Sequence, residues 1–354
     1  MSDNKNKKLI KLLIGAGIIV LLFFILFLCD YFLNTYIVTV LNLGAIYIIL
    51  ALSLNLVNGF TGQFSLGHAG FMAVGAYTCG ILTMSPEYKA LNFYITPIVP
   101  FLRNVQWPFL PALLLGGIIA AIAGIIVGVP ALRLKGDYLA IATLGFSEII
   151  RVVFTNTRSL TNGSLGIKGL PMPEHPIYWT FGAAVITVIF MCLLLSSSYG
   201  RAFKAIREDE TAAQAMGISL FKHKLLSFTI SSFLAGIGGG LLGNLLGTID
   251  PNMFKSALTF NILLIVVLGG MGSITGSIIS AIVVTSLMEA MRFLDEGFLF
   301  IPALPGLRMV VFSLLLMLVI LFYPKGIMGN KEISVNRLLN IFKNKSGRKE
   351  EAKI

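Results

Sequence analysis

Polar side chains cluster inside a stretch of sequence that is otherwise apolar enough to cross a membrane. The stretch covers residues 52–77, and glycines recur through it. Polar groups at membrane depth cost free energy unless they face protein or a water-filled path. Glycine allows a helix to break there and the backbone to approach closely. We therefore expect a broken segment that lines the route of a polar solute, and the candidate lining residues are Asn55, Asn58, Thr61, Gln63, Ser65 and His68.

Carboxylates inside apolar runs are the second group that could do chemistry. Glu148 and Arg151 are three residues apart, as are Glu289 and Arg292, so each pair can lie on one helical face and neutralise itself. An intramembrane carboxylate can instead relay protons or bind a coupling ion. We favour helix-locking pairs because each carboxylate has an adjacent partner. A secondary transporter with Glu148 as its ion site is an alternative.

Metal binding and catalysis are not predicted. His68 has no second ligand at metal-binding spacing. Cys29, Cys79 and Cys192 lie in or beside apolar runs, where cysteine behaves as a small hydrophobic residue. The sequence has no Gly-x-x-x-x-Gly-Lys-Ser/Thr loop for nucleotide phosphates. We expect no metal site, no bound cofactor and no enzymatic activity in this chain by itself.

The elements that must position these residues are membrane helices. The chain has 354 residues, of which 56% are hydrophobic and 12% charged, whereas a soluble domain has about a quarter of its residues charged. We predict an all-α polytopic membrane protein with about ten transmembrane helices. The eighth and ninth are separated by a short glycine-rich stretch, which favours short or re-entrant helices. The predicted spans are 9–29, 36–57, 64–84, 109–131, 138–155, 176–196, 224–247, 257–271, 274–292 and 307–323.

The placement of positive charge predicts the orientation. The net charge is +11, and most of the 27 lysine and arginine residues fall at the chain ends or in loops that alternate along the sequence. The positive-inside rule then places both termini in the cytoplasm, and this placement argues against nucleic-acid binding. We expect a transmembrane domain over 1–329 and a basic cytoplasmic tail over 330–354. The run 9–29 lacks a cleavage site and is interpreted as a retained span.

A polar segment between the sixth and seventh predicted spans has the pattern of an amphipathic helix. Apolar residues can align on one face, and a glycine then stops the helix, so we predict a cytoplasmic helix over about 199–217. Such a helix could rest on lipid headgroups or dock into a groove of a soluble partner. Its acidic triplet favours the partner, because anionic lipid would repel it. The apolar face holds Phe203, Ile206, Ala213 and Met216, and the triplet is Glu208, Asp209 and Glu210.

Small residues form a stripe in the seventh predicted span. Their spacing puts them on one helical face, where another helix can approach closely. We interpret the stripe as helix packing within the subunit, in preference to a pore wall or a dimer seam. It consists of Gly236, Gly240, Gly243 and Gly247.

Five strings in order along the chain resemble the permeases of high-affinity branched-chain amino acid ABC importers, of the longer of two subunit types. The resemblance extends from about residue 40 to residue 329, and its segment 210–217 resembles the coupling motif of ABC importer permeases. The strings are LSLNLVNGFTGQFSLGHAGFMAVGAY, GDYLAIATLGFSEIIRVVFTN, LTNGSLGIKGLP, GRAFKAIREDETAAQAMGIS and VLGGMGSITGS.

The resemblance implies a place in a larger machine. It implies a heterodimer with a second homologous permease, two cytoplasmic ATPase subunits that use ATP, and an extracytoplasmic solute-binding protein that selects the ligand. It implies a multi-pass protein of a prokaryotic cytoplasmic membrane that imports leucine, isoleucine and valine. The residues it assigns to ATPase coupling are Arg201, Phe203, Ile206, Arg207, Glu208, Asp209, Glu210 and Gly217, with the phenylalanine and isoleucine as apolar anchors.

Other substrates and other classes stay open at this point. Close relatives of the permease family that the chain resembles carry urea, short amides or other amino acids. A channel for small polar solutes, which would need no docking element, is the alternative from a different class. The segment 199–217 distinguishes them, because only an ATP-driven permease requires a helix that contacts an ATPase.

Overall fold

The computed structural model describes residues 17, 20–134, 136–296, 306–322, 326 and 328–329. The predicted tail 330–354 and most of the first half of the predicted span 9–29 lie outside these residues. The described helices are α1 (Val20–Phe32), α2 (Thr35–Asn55), α3 (His68–Thr83), α4 (Pro86–Asn92), α5 (Pro100–Arg103), α6 (Phe109–Ala131), α7 (Asp137–Asn156), α8 (Arg158–Thr161), α9 (Pro176–Ser196), α10 (Ser198–Glu208), α11 (Glu210–Ala215), α12 (Leu220–Leu246), α13 (Ser256–Gly269), α14 (Ile274–Ala290), α15 (Phe293–Glu296) and α16 (Leu307–Phe322).

Shorter elements join these helices. A π-helical turn, Leu56–Phe60, continues α2. Two 3-10 turns cover Gly163–Leu165 and Pro251–Phe254. Strands β1 (Ile167–Lys168) and β2 (Thr248–Ile249) form an antiparallel ribbon that ties the loop after α8 to the end of α12.

Several helices are suited to a membrane by length and composition. Among the described helices, five are long and apolar enough to span it, and four shorter ones are also apolar, which confirms the predicted class of a helical, membrane-spanning protein. The helices α6 and α9 begin and end at the residues predicted from their apolar runs. The five are Thr35–Phe60, Phe109–Ala131, Asp137–Asn156, Pro176–Ser196 and Leu220–Leu246, and the four are Val20–Phe32, Ser256–Gly269, Ile274–Ala290 and Met309–Val319.

Three helices at the centre of the fold touch backbone to backbone. A methyl group added to Gly75 of α3 would lie 2.1 Å from the carbonyl oxygen of Gly236 in α12. A methyl group on Gly239 would lie 2.1 Å from the carbonyl oxygen of Met72. Such contact is available only to glycine and lets α3, α6 and α12 pack more closely than side chains would permit.

The predicted glycine stripe lies within this contact for most of its length. A methyl group on Gly236 would lie 2.5 Å from Cβ of Ala120 in α6, and Gly240 and Gly243 are similarly enclosed by α3, α6 and the ribbon. These three positions agree with packing inside the subunit. Gly247 has a different role, because it ends α12 in the left-handed region with φ +67°.

The polar segment between α9 and α12 differs from its prediction. One helix over about 199–217 is wrong: the segment forms α10 and α11, which are separated at Asp209. The Asp209 carboxylate accepts hydrogen bonds from the backbone N–H groups of Thr211 (2.8 Å) and Ala212 (3.0 Å), so it caps a second helix. Met216, expected on the apolar face, is 82% exposed because it follows the end of α11.

The hairpin of α13 and α14 agrees with the expectation of short helices. With 14 residues, α13 is about 21 Å long at 1.5 Å per residue, less than the ~30 Å hydrocarbon core. The two helices pack closely, since Ser280 Oγ donates to the carbonyl oxygen of Ile265 at 2.6 Å. Gly270 and Gly272 adopt positive φ in the turn that joins them.

A buried lysine organises a loop outside the long helices. Lys89 of α4 donates its ammonium hydrogens to the carbonyl oxygens of Leu102 (2.9 Å) and Val105. Its side chain is enclosed by the loop between α4 and α6. Burial lowers the pKa of Lys89, because removal from water disfavours the charged form.

The close contact between α3 and α12 predicts the effect of one methyl group. Gly75→Ala should lower the free energy of unfolding by about 1–3 kcal/mol, since backbone atoms stand where the methyl would go. Gly182→Ala, in α9, is the matched control because nothing lies within 4 Å of its added methyl. Thermal unfolding of the purified variants in detergent measures both. Equal unfolding temperatures would contradict the packing described for α3 and α12.

Candidate functional site

The segment between α2 and α3 leaves helical geometry in two steps. First, α2 widens into the π turn Leu56–Phe60, where Thr61 N–H donates to the carbonyl oxygen of Leu56 at 3.2 Å. Second, Gly62 turns with φ +72°, and no regular helix resumes before His68. The predicted break therefore lies at residues 56–67, which we call the break segment.

Burial alternates along residues 61–65 of the break segment. Thr61, Gln63 and Ser65 are buried, whereas Gly62 and Phe64 are exposed. The polar candidates of this stretch are therefore enclosed by the chain, and Phe64 is 42% exposed. Phe64 is not among the residues predicted from the sequence, although the alternation of polar and other residues over 61–65 would have indicated it.

Asn55 ties the break segment to the turn between α13 and α14. Its amide nitrogen donates to the Ser273 carbonyl oxygen (3.0 Å) and to Ser277 Oγ (2.8 Å). Its amide oxygen accepts from the Gly272 backbone N–H at 2.8 Å. The side chain is fully buried. One amide thus holds together two irregular backbones that lie more than 200 positions apart in sequence.

The other candidate lining residues are also bonded within the chain. Asn58 exchanges two hydrogen bonds with the backbone of Ser65. Gln63 Nε2 donates to Ser227 Oγ of α12 at 3.0 Å, and His68 Nε2 lies 2.6 Å from Ser53 Oγ.

All six predicted lining residues are therefore in the interior of the chain, and two of them, Asn58 and Ser65, bond to each other. A solute could pass along these side chains only if these hydrogen bonds opened.

Arg207 of α10 reaches the break segment. Its Nη1 donates to the Gly59 carbonyl oxygen at 3.1 Å. Methyl groups added to Gly62 or Gly272 would lie 2.9 Å from Arg207 Cγ or 2.7 Å from Nη1. The guanidinium fills a notch between the break segment and the α13–α14 turn. Its Nε and Nη2 donate to Glu208 Oε1 at 3.1 and 2.5 Å, which fixes its orientation.

The remaining coupling candidates divide into anchors and exposed groups. Phe203 and Ile206 are buried beneath α10. Glu210 pairs with Lys224 of α12, with 2.6 Å between Oε1 and Nζ. Arg201 is exposed and donates to the Ser196 carbonyl oxygen at 3.4 Å.

Gly217 ends α11 with φ +82°. The next N–H, that of Ile218, donates to the carbonyl oxygen of Ala213, and the Gly217 N–H donates to that of Gln214. These two bonds close the helix end in a Schellman motif, which favours glycine. The positive φ at this position therefore explains why a glycine ends α11.

Both predicted acid–base pairs are formed. Arg151 Nε and Glu148 Oε2 are 2.7 Å apart on α7. Arg292 Nη1 and Glu289 Oε1 are 3.3 Å apart. Glu289 also accepts from the hydroxyl of Tyr36, on α2, at 2.6 Å, so this second pair joins two helices.

Known proteins share most of the chain. Residues 36–321 match the family described as branched-chain amino acid transport system / permease component. The high-affinity branched-chain amino acid transport system permease protein LivM of Escherichia coli is 34% identical over 324 residues, covering 82% of this chain and 69% of that protein.

Relatives of lower identity also match most of the chain. A probable LivM of Methanocaldococcus jannaschii is 27% identical over 319 residues, covering 81% of this chain and 92% of that protein. The permease protein LivH of Salmonella typhimurium is 27% identical over 319 residues, covering 82% and 94%. No solved structure matches the chain.

The three hydrogen bonds of Asn55 predict a structural effect of its removal. Asn55→Leu should lower the free energy of unfolding by about 2 kcal/mol or more, because buried backbone groups of the α13–α14 turn lose their partner. Hydrogen exchange should then rise over 270–277. Asn156→Leu is the control, since Asn156 is exposed and bonds only to its own helix. Unchanged exchange over 270–277 in Asn55→Leu would show that the amide does not hold the turn.

Proposed function

The chain belongs to the family of branched-chain amino acid transport permeases, and we propose that it is one of two membrane subunits of an ATP-driven importer of leucine, isoleucine and valine. The observation that carries the coupling part of this proposal is the contact of Arg207 with the break segment. An exposed pair of short helices is joined there to the irregular backbone between α2 and α3.

The arrangement of charge and contacts supports a single orientation. We propose ten spans with both termini in the cytoplasm, in agreement with the positive-inside rule. In that orientation α10, α11, the break segment and the α13–α14 turn all lie on the cytoplasmic side. The contacts of Arg207 with the latter two agree with it. The wider loops before α6 and before α9 then face outward.

The energy for transport comes from partner subunits in this proposal, because the sequence carries no phosphate-binding loop of its own. The pair α10–α11 offers a partner an exposed edge, at which Glu208 is 71% exposed along its side chain and Met216 82% exposed. Phe203 and Ile206 hold the opposite edge in the protein. A helix pair anchored on one side and open on the other can transmit the motion of an ATPase that docks on it.

The transmitted motion has a defined route. Displacement of α10 would pull Arg207 from the notch between Gly59, Gly62 and Gly272. Because Asn55 binds the α13–α14 turn, the break segment and that turn would shift together. The buried polar groups of the break segment would then exchange their internal partners for solute or water. Closure restores the internal hydrogen bonds.

The proposed assembly includes a second permease and an external binding protein. Relatives named LivM and LivH both match this chain along most of its length, which supports a heterodimer of two homologous permeases. The external binding protein would select the ligand, as the family resemblance implies, and two ATPases would bind on the cytoplasmic side. The permease would supply the gated path.

The notch contact predicts a coupling defect. Arg207→Ala should lower binding-protein-dependent leucine uptake into vesicles at least about tenfold, the result expected when a charged hydrogen bond of 1.5–3 kcal/mol is lost from the moving junction. ATP hydrolysis should persist, because Phe203 and Ile206 still anchor α10 and Glu208 and Met216 remain at the docking edge. The ratio of leucine transported to ATP hydrolysed in reconstituted vesicles measures the effect.

Lys204→Ala is the matched control for this variant. Lys204 lies on the same helix, is exposed and is not among the residues assigned to coupling. Its substitution should leave the transport ratio within about twofold of the unmodified chain, as surface changes do. Equal ratios for Arg207→Ala and Lys204→Ala would contradict coupling through Arg207.

A further inference from the structure

A cavity of about 160 Å³ lies between α2, α13, α14 and α16. Its volume is below the range of about 300–1,000 Å³ typical of pockets for drug-sized ligands. A molecule of the size of a single amino acid is therefore the largest class of ligand that it suits. Its lining mixes polar groups, from Asn261, Thr285 and Glu289, with apolar ones, from Leu43, Met288 and Phe312.

One polar group of this lining lacks a partner. Thr285 is 5% exposed, and its hydroxyl oxygen has no hydrogen-bond partner among the described residues. A buried hydroxyl without a partner costs free energy, so it indicates a bound group that the chain itself does not supply. Because Thr285 is one helical turn before Glu289, both side chains present themselves on the same side of α14.

The carboxylate of Glu289 is held in a fixed position. It accepts hydrogen bonds from Tyr36 of α2 at 2.6 Å and from Arg292, in the turn after α14, at 3.3 Å. A carboxylate has about four acceptor sites, so these two bonds leave acceptor capacity for a further donor. Asn261, across the cavity on α13, provides both an amide donor and an amide acceptor.

These groups match the chemistry of an aliphatic α-amino acid. An ammonium group needs acceptors, which Glu289 and the oxygen of Asn261 provide. A carboxylate needs donors, which the hydroxyl of Thr285 and the amide of Asn261 provide. The apolar lining suits a hydrocarbon side chain and offers nothing to a charged one.

The cavity does not overlap the coupling junction. On α2, the lining residues Leu43 and Tyr47 lie 12 and 8 residues before Asn55, or roughly 18 and 12 Å at 1.5 Å per residue. A ligand in the cavity would therefore be separated from the break segment by about half of the ~30 Å hydrocarbon core.

We propose that this cavity is a binding subsite for the transported aliphatic amino acid in the outer half of the membrane. This inference rests on the proposed import function and adds to it a location and a set of contacts. The Thr285 hydroxyl and the Asn261 amide nitrogen donate to the α-carboxylate, and the Asn261 amide oxygen and Glu289 accept from the α-ammonium group.

The hydroxyl of Thr285 gives the sharpest test. In vesicles containing the complete importer and leucine-loaded binding protein, Thr285→Val should lower uptake of labelled leucine about three- to tenfold, as expected for one lost hydrogen bond. The shape of the side chain is kept. ATP hydrolysis and the amount of assembled complex should not change, which separates loss of a ligand contact from loss of structure.

Two further variants identify the hydroxyl as the cause. Thr285→Ser keeps the hydroxyl and should retain uptake within about twofold of the unmodified chain. Thr155→Val is the control for a helical threonine elsewhere, because the hydroxyl of Thr155 already donates to the Arg151 carbonyl oxygen at 2.9 Å. It should also stay within about twofold. Asn261→Leu should repeat the loss seen in Thr285→Val.

Each contrary outcome has a separate meaning. Unchanged leucine uptake in both Thr285→Val and Asn261→Leu would overturn the subsite and leave the import function intact. An equal loss in Thr285→Ser and Thr285→Val would also overturn it, because the hydroxyl would then be irrelevant. If vesicles with the unmodified chain took up none of leucine, isoleucine and valine, the import function itself would fail, and the subsite with it.

Discussion

A helix that breaks inside a membrane must find partners within the protein for the backbone and polar groups that it releases. The rest of this structure depends on how that requirement is met between α2 and α3. Asn55 binds the α13–α14 turn, Gln63 binds α12, and Arg207 binds the Gly59 carbonyl oxygen. Each of these three bonds also joins the break to another part of the chain. Stability and connection to the moving parts therefore come from the same contacts.

Close packing makes the block of α3, α6 and α12 rigid, whereas the α10–α11 pair is held less tightly. Glycines bring α3, α6 and α12 into backbone contact, and Ser231 of α12 donates to the Ser53 carbonyl oxygen at 2.7 Å. The pair α10–α11 lies outside that block and is attached through a few side chains. A packed block moves as a unit, whereas a junction of a few bonds can open. Motion is thus expected at the junction formed by Arg207.

Local patterns in the sequence were sufficient to predict several helices but not the contacts between them. Apolar runs predicted α6 and α9 to the residue, and polar and glycine residues predicted the break. The pairing of Asn55 with Gly272 was beyond prediction, because it depends on which helices meet in three dimensions. The division at Asp209 was missed because apolar periodicity outweighed the capping preference of aspartate. The burial of the six polar candidates was likewise beyond prediction, because it depends on which helices surround the break segment.

The most direct measurement follows the break segment while ATP is bound and hydrolysed. The probe is a cysteine in place of Phe64, in the complete importer with the native cysteines of this chain replaced by serine. Its rate of labelling by a water-soluble thiol reagent reports how accessible the break segment is. We predict that ATP changes this rate when Arg207 is present and leaves it unchanged in Arg207→Ala. An equal effect of ATP in both proteins would show that motion reaches the break segment by another route.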